Sequence, residues 1–298
     1  MTPSGPTPNA VCGLVITYFP DPSLLNNLKL LCAQAAEVLV VDNGSEEASA
    51  DLLLRAEKEL GIRVIRNQRN LGIAAALNIG IKYVITAGYR WVATFDQDST
   101  VTPGFFEAML AAYEACGFRG KVPLIAPVLC ISGEEAEHLG KTKSAGKYSL
   151  TRTAMTSGSL IKTEVFEQAG FYDEGFFMDY VDYDFCLRLW RRGWRLIRAE
   201  RAFLVHRLGL AEAHSFLGFR VTTKSHSAWR RYYIMRNRVI IFKRYAFSSP
   251  LWCLHDFFWI FLELTKIILL EQEKGSKFRN MLRGFADGLA GKTGTIAI

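Results

Sequence analysis

Short continuous apolar runs alternate with stretches of helical spacing through the first third of the chain. Val11 to Tyr18 and Trp91 to Phe95 read as buried strands, and Glu37 to Val41 and the short Arg63 to Arg66 as two further strands. Between them, Ser23 to Ala36 places Leu24, Leu25, Leu28 and Leu31 on one helical side. Ser45 followed by Glu46 and Glu47 reads as a second helix start, with acid near the positive end of the dipole. A third helix runs from the small residues Ala74 to Ala76 to Ala87, and Gly88 stops it. The order β-α-β-α-β-α-β predicts an α/β fold: a mostly parallel, Rossmann-like sheet with helices on both faces.

The pattern then changes. Pro103 to Gly117 is helical, Leu124 to Ile131 is a strand, and the polar stretch Ser132 to Ser149 reads as a mobile loop. Met155 to Ile161 is extended, Glu164 to Ala169 is a short helix, and a further helix is expected from about Tyr180 to Arg192. Arg195 to Arg198 and Ala202 to Val205 read as two strands. A basic, aromatic helix begins at Arg230. Leu251 to Leu270 is strongly apolar but carries His255, Asp256, Glu263 and Lys266. Those four fall within an arc of about 100°. So many charges argue against a spanning helix, leaving one buried against protein or lying in a membrane surface. Three regions result: a loose tail at 1–10, a domain at 11–225 divided near 130, and a helical extension at 226–298.

The length of 298 residues and 50% apolar content permit a large core. Six scattered cysteines without metal-ligand spacing read as reduced core residues of a cytoplasmic protein. The net charge of +7 is concentrated after residue 188 and interleaved with aromatics, without a nucleic-acid reading motif. That distribution suits phosphate-bearing ligands or an anionic membrane surface, and no nucleic-acid partner.

In an open α/β sheet, ligands bind beyond the carboxyl ends of the strands. Those ends carry Thr17 and Tyr18, Asp42, Asn70, and the pair Asp96 and Asp98 around Gln97. Gly72 permits an unusual backbone angle before its helix. Two carboxylates one residue apart either cap the following helix or hold a hard divalent cation, which in turn holds a diphosphate. No G-x-G-x-x-G follows the first strand, against a dinucleotide fold. Asp179 and Asp182 are three apart at a helix start. Amid Phe, Met and Tyr, a carboxylate there suits a general base. Asp184 is assigned a structural role, and a lone His206 follows the last predicted strand.

With VVDNGS at Val40 to Ser45, RNLGIAAALNIGI at Arg69 to Ile81, FDQDS at Phe95 to Ser99, FMDYVDYDFCLRL at Phe177 to Leu189, VHRLG at Val205 to Gly209 and RRYYIMRNRVIIFKRYAFSSP at Arg230 to Pro250, the chain resembles inverting glycosyltransferases of family 2. Within them it resembles the bacterial L-rhamnosyltransferases, whose members include transferases of rhamnolipid synthesis. The resemblance implies the GT-A nucleotide-diphospho-sugar transferase fold. It implies Thr17, Tyr18, Asp42, Asn70 and Gly72 at the nucleoside, and Asp96, Gln97 and Asp98 at the diphosphate. Asp96, Asp98 and His206 would hold Mg²⁺ or Mn²⁺, and Asp182 would be the base. Gly158, Ser159, Asp179, Tyr232 and Arg236 would border the acceptor. The donor implied is dTDP-L-rhamnose, the acceptor a glycan or glycolipid, and the place of work the cytoplasmic face of the inner membrane. Another UDP- or dTDP-sugar donor, or a non-catalytic surface scaffold on the same fold, stays open from the residues alone.

Overall fold

The computed structural model describes residues 10–45, 49–142, 147–206, 211–216, 219–224 and 226–296. The expected tail, the acids Glu46 and Glu47, and Arg207 to Gly209 lie outside the described residues, as all but Ala10 of the tail does. The chain divides into two compact units. The first takes Met1–Glu174 and Phe185–Arg207, the second Gly175–Asp184 and Leu208–Ile298. The boundary between the units falls near 207, and ten residues from the middle of the chain, Gly175–Asp184, go to the helical unit.

The first unit is built on the predicted alternation. Strands β1 (Val11–Thr17), β2 (Glu37–Asp42), β3 (Arg63–Arg66) and β4 (Trp91–Asp96) are parallel, in the order β3-β2-β1-β4. Their crossovers are α1 (Leu24–Cys32), α2 (Ala50–Leu60) and α3 (Ile73–Thr86). Leu24, Leu25, Leu28 and Leu31 are all buried, as their spacing requires. Helix α3 lies close to the sheet because its inner face is small. Ala74 and Ala76 are fully buried, and a Cβ at Gly80 would sit 2.2 Å from Leu14.

The rest of the sheet is mixed. It contains β5 (Ser99–Val101), β6 (Leu124–Cys130), β7 (Tyr148–Thr151), β8 (Ser159–Lys162) and β9 (Leu196–His206). Strand β8 runs antiparallel between β4 and β6, and β5 pairs antiparallel with β9. The two strands expected between 195 and 205 are one, β9, whose pairing with β6 shifts register between Ala126 and Val128. The stretch expected as a loop contains a helix, α5 (Gly133–Thr142), between α4 (Phe105–Glu114) and the short α6 (Glu164–Ala169). Its acids Glu134 and Glu135 lie in the first turn and Lys141 in the last, in accord with the dipole. Helix α7 (Val181–Arg191) begins in the segment assigned to the second unit.

The second unit holds a hairpin, β10 (Ala211–Phe216) with β11 (Phe219–Lys224), and helices α8 (Ala228–Tyr245), α9 (Pro250–Leu270) and α10 (Lys274–Leu289). Helix α8 is its axis and is buried on nearly every side, arginines included. Two of the buried guanidiniums are ion-paired: Arg238 with Asp256 and Glu263, both at 3.0 Å, and Arg231 with Glu271 at 2.7 Å. Glu271 also takes Lys277 at 2.8 Å. Removing one partner of such a pair costs about 3–5 kcal/mol, because a charge is stranded. Asp184, expected to be structural, is 2% exposed and takes Arg244 at 3.0 Å and the Tyr245 hydroxyl at 2.8 Å. Helix α10 meets α8 through Gly284 and Gly288. A Cβ there would come within 2.4 Å of the Tyr232 carbonyl and 2.7 Å of the Arg236 carbonyl.

Candidate active site

In the first unit, Asp96 ends β4, and the short turn after it carries Gln97 and Asp98 into β5. Antiparallel pairing of β5 with β9 sets Ser99 opposite His206, the last residue of β9. Pairing of strands more than a hundred residues apart thereby brings the histidine to the two carboxylates. One ligand atom from each of Asp96, Asp98 and His206 lies within 4.8 Å of the others. His206 Nδ1 is 3.5 Å from Asp98 Oδ1. Two carboxylate oxygens and an imidazole nitrogen form a donor set suited to Mg²⁺ or, better, to Mn²⁺, which accepts nitrogen more readily.

A buried serine pair ties this cluster together. Ser157 Oγ accepts the backbone N–H of Asp96 at 3.0 Å and lies 2.6 Å from Ser99 Oγ, which is 2.9 Å from His206 Nδ1. Such partners fix the ring orientation of a metal-binding histidine. Neither serine is marked by sequence: they are 58 residues apart, and only the sheet pairing joins them.

Gln97 braces the turn. Its Oε1 accepts the Tyr18 N–H at 2.8 Å and its Nε2 donates to the Tyr18 carbonyl at 3.2 Å. Tyr18 and Phe19 beyond β1 are about half exposed, with ring centroids 4.5 Å apart, a surface on which a flat base can stack. Asp42 is buried, and its carboxylate accepts from Thr17 Oγ1 at 3.0 Å, from Ser45 N–H at 3.0 Å and from Ser45 Oγ at 2.6 Å. Ser45 Oγ in turn accepts the Phe19 N–H at 2.8 Å. Asp42 is therefore a joint between the β1 and β2 turns.

Asn70 also works inward. Its Oδ1 accepts from Asn43 Nδ2 at 3.0 Å and from the Gly72 N–H at 2.8 Å. Asn43 Oδ1 accepts from Asn67 Nδ2 and the Leu71 N–H, both at 3.1 Å. Gly72 has φ of +87°, so a side chain there would be strained. Asn43, which holds this edge, carries no sequence signal because an Asn-Gly-Ser turn looks like any turn, and Ser45 reads from sequence only as a helix start.

The acceptor assignments need correction. Gly158 has φ of +80° and its absent Cβ would clash with Pro127 at 2.6 Å, while Ser159 is 1% exposed and donates to the Met155 carbonyl at 2.6 Å. Both are packing residues of the first unit. In the second unit Tyr232 and Arg236 are fully buried, Tyr232 donating to Asp287 at 2.9 Å, so neither offers a surface. Asp179 is paired with Arg230 at 2.8 Å. It does not share a helical face with Asp182, because α7 starts at Val181 and Asp179 is left-handed, φ +54°. Asp182 is half-buried in the first turn of α7, its Oδ1 accepting the Tyr183 N–H at 2.9 Å.

Known proteins share this architecture. The chain is 28% identical over 304 residues to the dTDP-rhamnosyl transferase RfbF of Shigella flexneri, covering 95% of this chain and 97% of that one. The mannosyltransferase PcManGT of Pyrobaculum calidifontis, solved with GDP-Man and Mn²⁺, superposes with a TM-score of 0.58 at 14% identity, over 96% and 90% of the two chains. GalNAc-T7, solved with UDP, GalNAc and Mn²⁺, superposes with a TM-score of 0.59 at 13% identity. The match spans 94% of this chain but 56% of GalNAc-T7. These structural neighbours establish the GT-A fold. The profile "Glycosyl transferase family 2" matches residues 14–168, more than half of the chain, which therefore belongs to that family and is a glycosyltransferase.

Proposed function

We propose that this glycosyltransferase moves L-rhamnose from dTDP-β-L-rhamnose to a hydroxyl of a glycan or glycolipid, in a single displacement with inversion. The carrying observation is the Asp96, Asp98 and His206 cluster at the carboxyl edge of the parallel strands. The choice of donor rests on likeness to RfbF along nearly the whole chain. Asp96, Asp98 and His206 would hold Mg²⁺ or Mn²⁺, which supplies positive charge to the departing diphosphate. Tyr18 meets the nucleoside, Asp42 holds the turns behind it, Asn70 and Gly72 shape the edge beside it, and Gln97 holds the diphosphate turn. Asp182 takes the proton of the acceptor hydroxyl as its oxygen bonds the anomeric carbon and the bond to dTDP breaks.

The experiment is mass spectrometry of products from a panel of nucleotide sugars, dTDP-rhamnose included, with lipid-linked and soluble glycan acceptors. An α-L-rhamnoside formed from dTDP-rhamnose alone is expected. Transfer from another UDP- or dTDP-sugar in preference would replace the donor assignment. Binding to vesicles with no transfer or donor hydrolysis would favour a scaffold.

We infer from the form of α9 that the acceptor is met at an anionic membrane surface. No described helix is long and apolar enough to cross a membrane. Half of the polar arc of α9 is turned inward, where Asp256 and Glu263 pair with Arg238; His255 and Lys266 are exposed, and Leu251, Leu254, Phe258, Phe261 and Leu262 are more than half exposed. Leu282 and Leu289 extend the apolar face on α10, beside exposed Lys274 and Arg279. An apolar face flanked by basic residues suits the headgroup boundary of an anionic bilayer. The variant carrying Leu254→Glu, Phe258→Glu and Phe261→Glu is expected to bind phosphatidylglycerol vesicles about a hundredfold more weakly in flotation. Its turnover on a soluble acceptor is expected to stay unchanged. Undiminished flotation would remove this placement.

A further inference from the structure

The segment before α7 is held in a costly shape. Phe177, Asp179 and Tyr180 have φ of +58°, +54° and +64°, in the left-handed region that side chains disfavour. Three such residues in four persist only where the surroundings over-determine them, and such strain gathers at functional sites. The surroundings here are two consecutive residues of α8, both fully buried. The Asn237 side-chain amide donates to three carbonyls of the segment: those of Phe176 at 3.0 Å, Met178 at 2.7 Å and Asp179 at 3.0 Å. Arg236 donates through Nη2 to the carbonyls of Gly175 at 3.0 Å and Phe176 at 3.2 Å. Its Nε donates to Asn237 Oδ1 at 3.0 Å, which fixes the amide with its N–H groups toward the segment.

The side chains of the segment are anchored as well. The Phe177 ring packs on Tyr233 with centroids 5.2 Å apart. The Tyr180 hydroxyl donates to both Asp256 oxygens at 3.0 Å, and burial pushes its pKa well above the ordinary value, so it stays a donor. From behind, the bare backbones of Gly284 and Gly288 let α10 press on the α8 turn that carries Arg236. Gly294 closes the ring: its carbonyl accepts from Arg236 Nη1 at 2.5 Å and its N–H donates to the Gly175 carbonyl at 2.7 Å.

We propose that Arg236 and Asn237 are positioning residues for the general base: they hold residues 175–180 in the strained path that delivers Asp182 to the first turn of α7. This rests on Asp182 being the base. It gives the paired Arg-Asn of α8 a task in the reaction and makes the C-terminal helices part of the catalytic apparatus, in addition to any surface they offer.

The test compares Asn237→Ala and Asn237→Asp in the full chain. Asn237→Asp keeps the volume and the acceptor for Arg236 but offers no N–H, and it carries the test should Asn237→Ala fail to fold. Turnover, dTDP affinity with Mn²⁺, and hydrogen exchange across 175–184 are measured on each. A misplaced base lowers kcat on the order of a hundredfold. Affinity for dTDP is expected to be unchanged, exchange in 175–184 faster, and exchange in α9 unchanged. Adding Asp179→Gly to the Asn237 variant is expected to restore part of the turnover, since glycine takes the left-handed turn without being held. Near-normal kcat with accelerated exchange in the segment would overturn the proposal, and so would exchange that does not change. Full turnover in Asp182→Asn would instead remove the base assignment beneath it.

Discussion

Asp182→Asn is expected to bind dTDP with Mn²⁺ as the wild type does and to lose transfer by roughly 10²- to 10⁴-fold, the usual weight of a positioned general base. The substitution is isosteric. The amide oxygen can still accept the Tyr183 N–H that Asp182 Oδ1 accepts at 2.9 Å, so this contact of the first turn of α7 is kept. What disappears is a basic oxygen able to take a proton. The single displacement proposed above offers no covalent step in which another carboxylate could substitute, so the loss is expected to fall on kcat. Calorimetric titration of dTDP beside a product assay separates the two quantities. Turnover within a few-fold of wild type would mean that the proton leaves by another route, and the base would have to be sought elsewhere.

The parallel half of the sheet was legible because its signals are local. Three apolar runs, leucines at helical spacing and three small residues on α3 each state their own burial. Asp96 and Asp98 were legible for the same reason, one residue apart at a strand end. His206 could be seen as a candidate, but what brings it to them is the antiparallel pairing of β5 with β9, a contact between strands distant in sequence. The Ser99–Ser157 link depends on the same distant pairing and leaves no trace in either neighbourhood.

Helix α8 misled for a different reason. Arginines and tyrosines at Arg230 to Arg238 read as a surface that meets a ligand, since arginine is rarely buried without a partner. The partners lie elsewhere in the chain: Asp256 and Glu263 on α9, Glu271 after it, and the carbonyls of a strained segment. Nor could that segment be anticipated, because Phe, Asp and Tyr carry no sequence signal for left-handed backbone. The polar arc of α9 is legible as an arc, but the inward turn of Asp256 and Glu263 toward buried arginines is set by the fold.

Asp98→Ala is expected to abolish the dependence of dTDP binding on Mn²⁺, reducing the Mn²⁺-supported affinity by at least about a hundredfold, beyond what loss of an outer hydrogen bond to a ligand costs. The change removes one of the two hard oxygen donors and leaves Asp96 with His206, a set too poor in charge for a cation that favours oxygen. It also takes away the carboxylate 3.5 Å from His206 Nδ1, while the ring keeps its Ser99 contact at 2.9 Å, so the histidine itself stays in place. His206→Ala should be milder with Mg²⁺ than with Mn²⁺, because nitrogen contributes less to the harder ion. Titrations of dTDP with and without each metal read all of this directly. If Asp98→Ala binds dTDP as tightly as wild type in Mn²⁺, the cluster at the edge of β4 and β9 is not a metal site. The diphosphate would then have to be held by protein donors alone, and loss of affinity on substitution of Asp96 could no longer be ascribed to an ion.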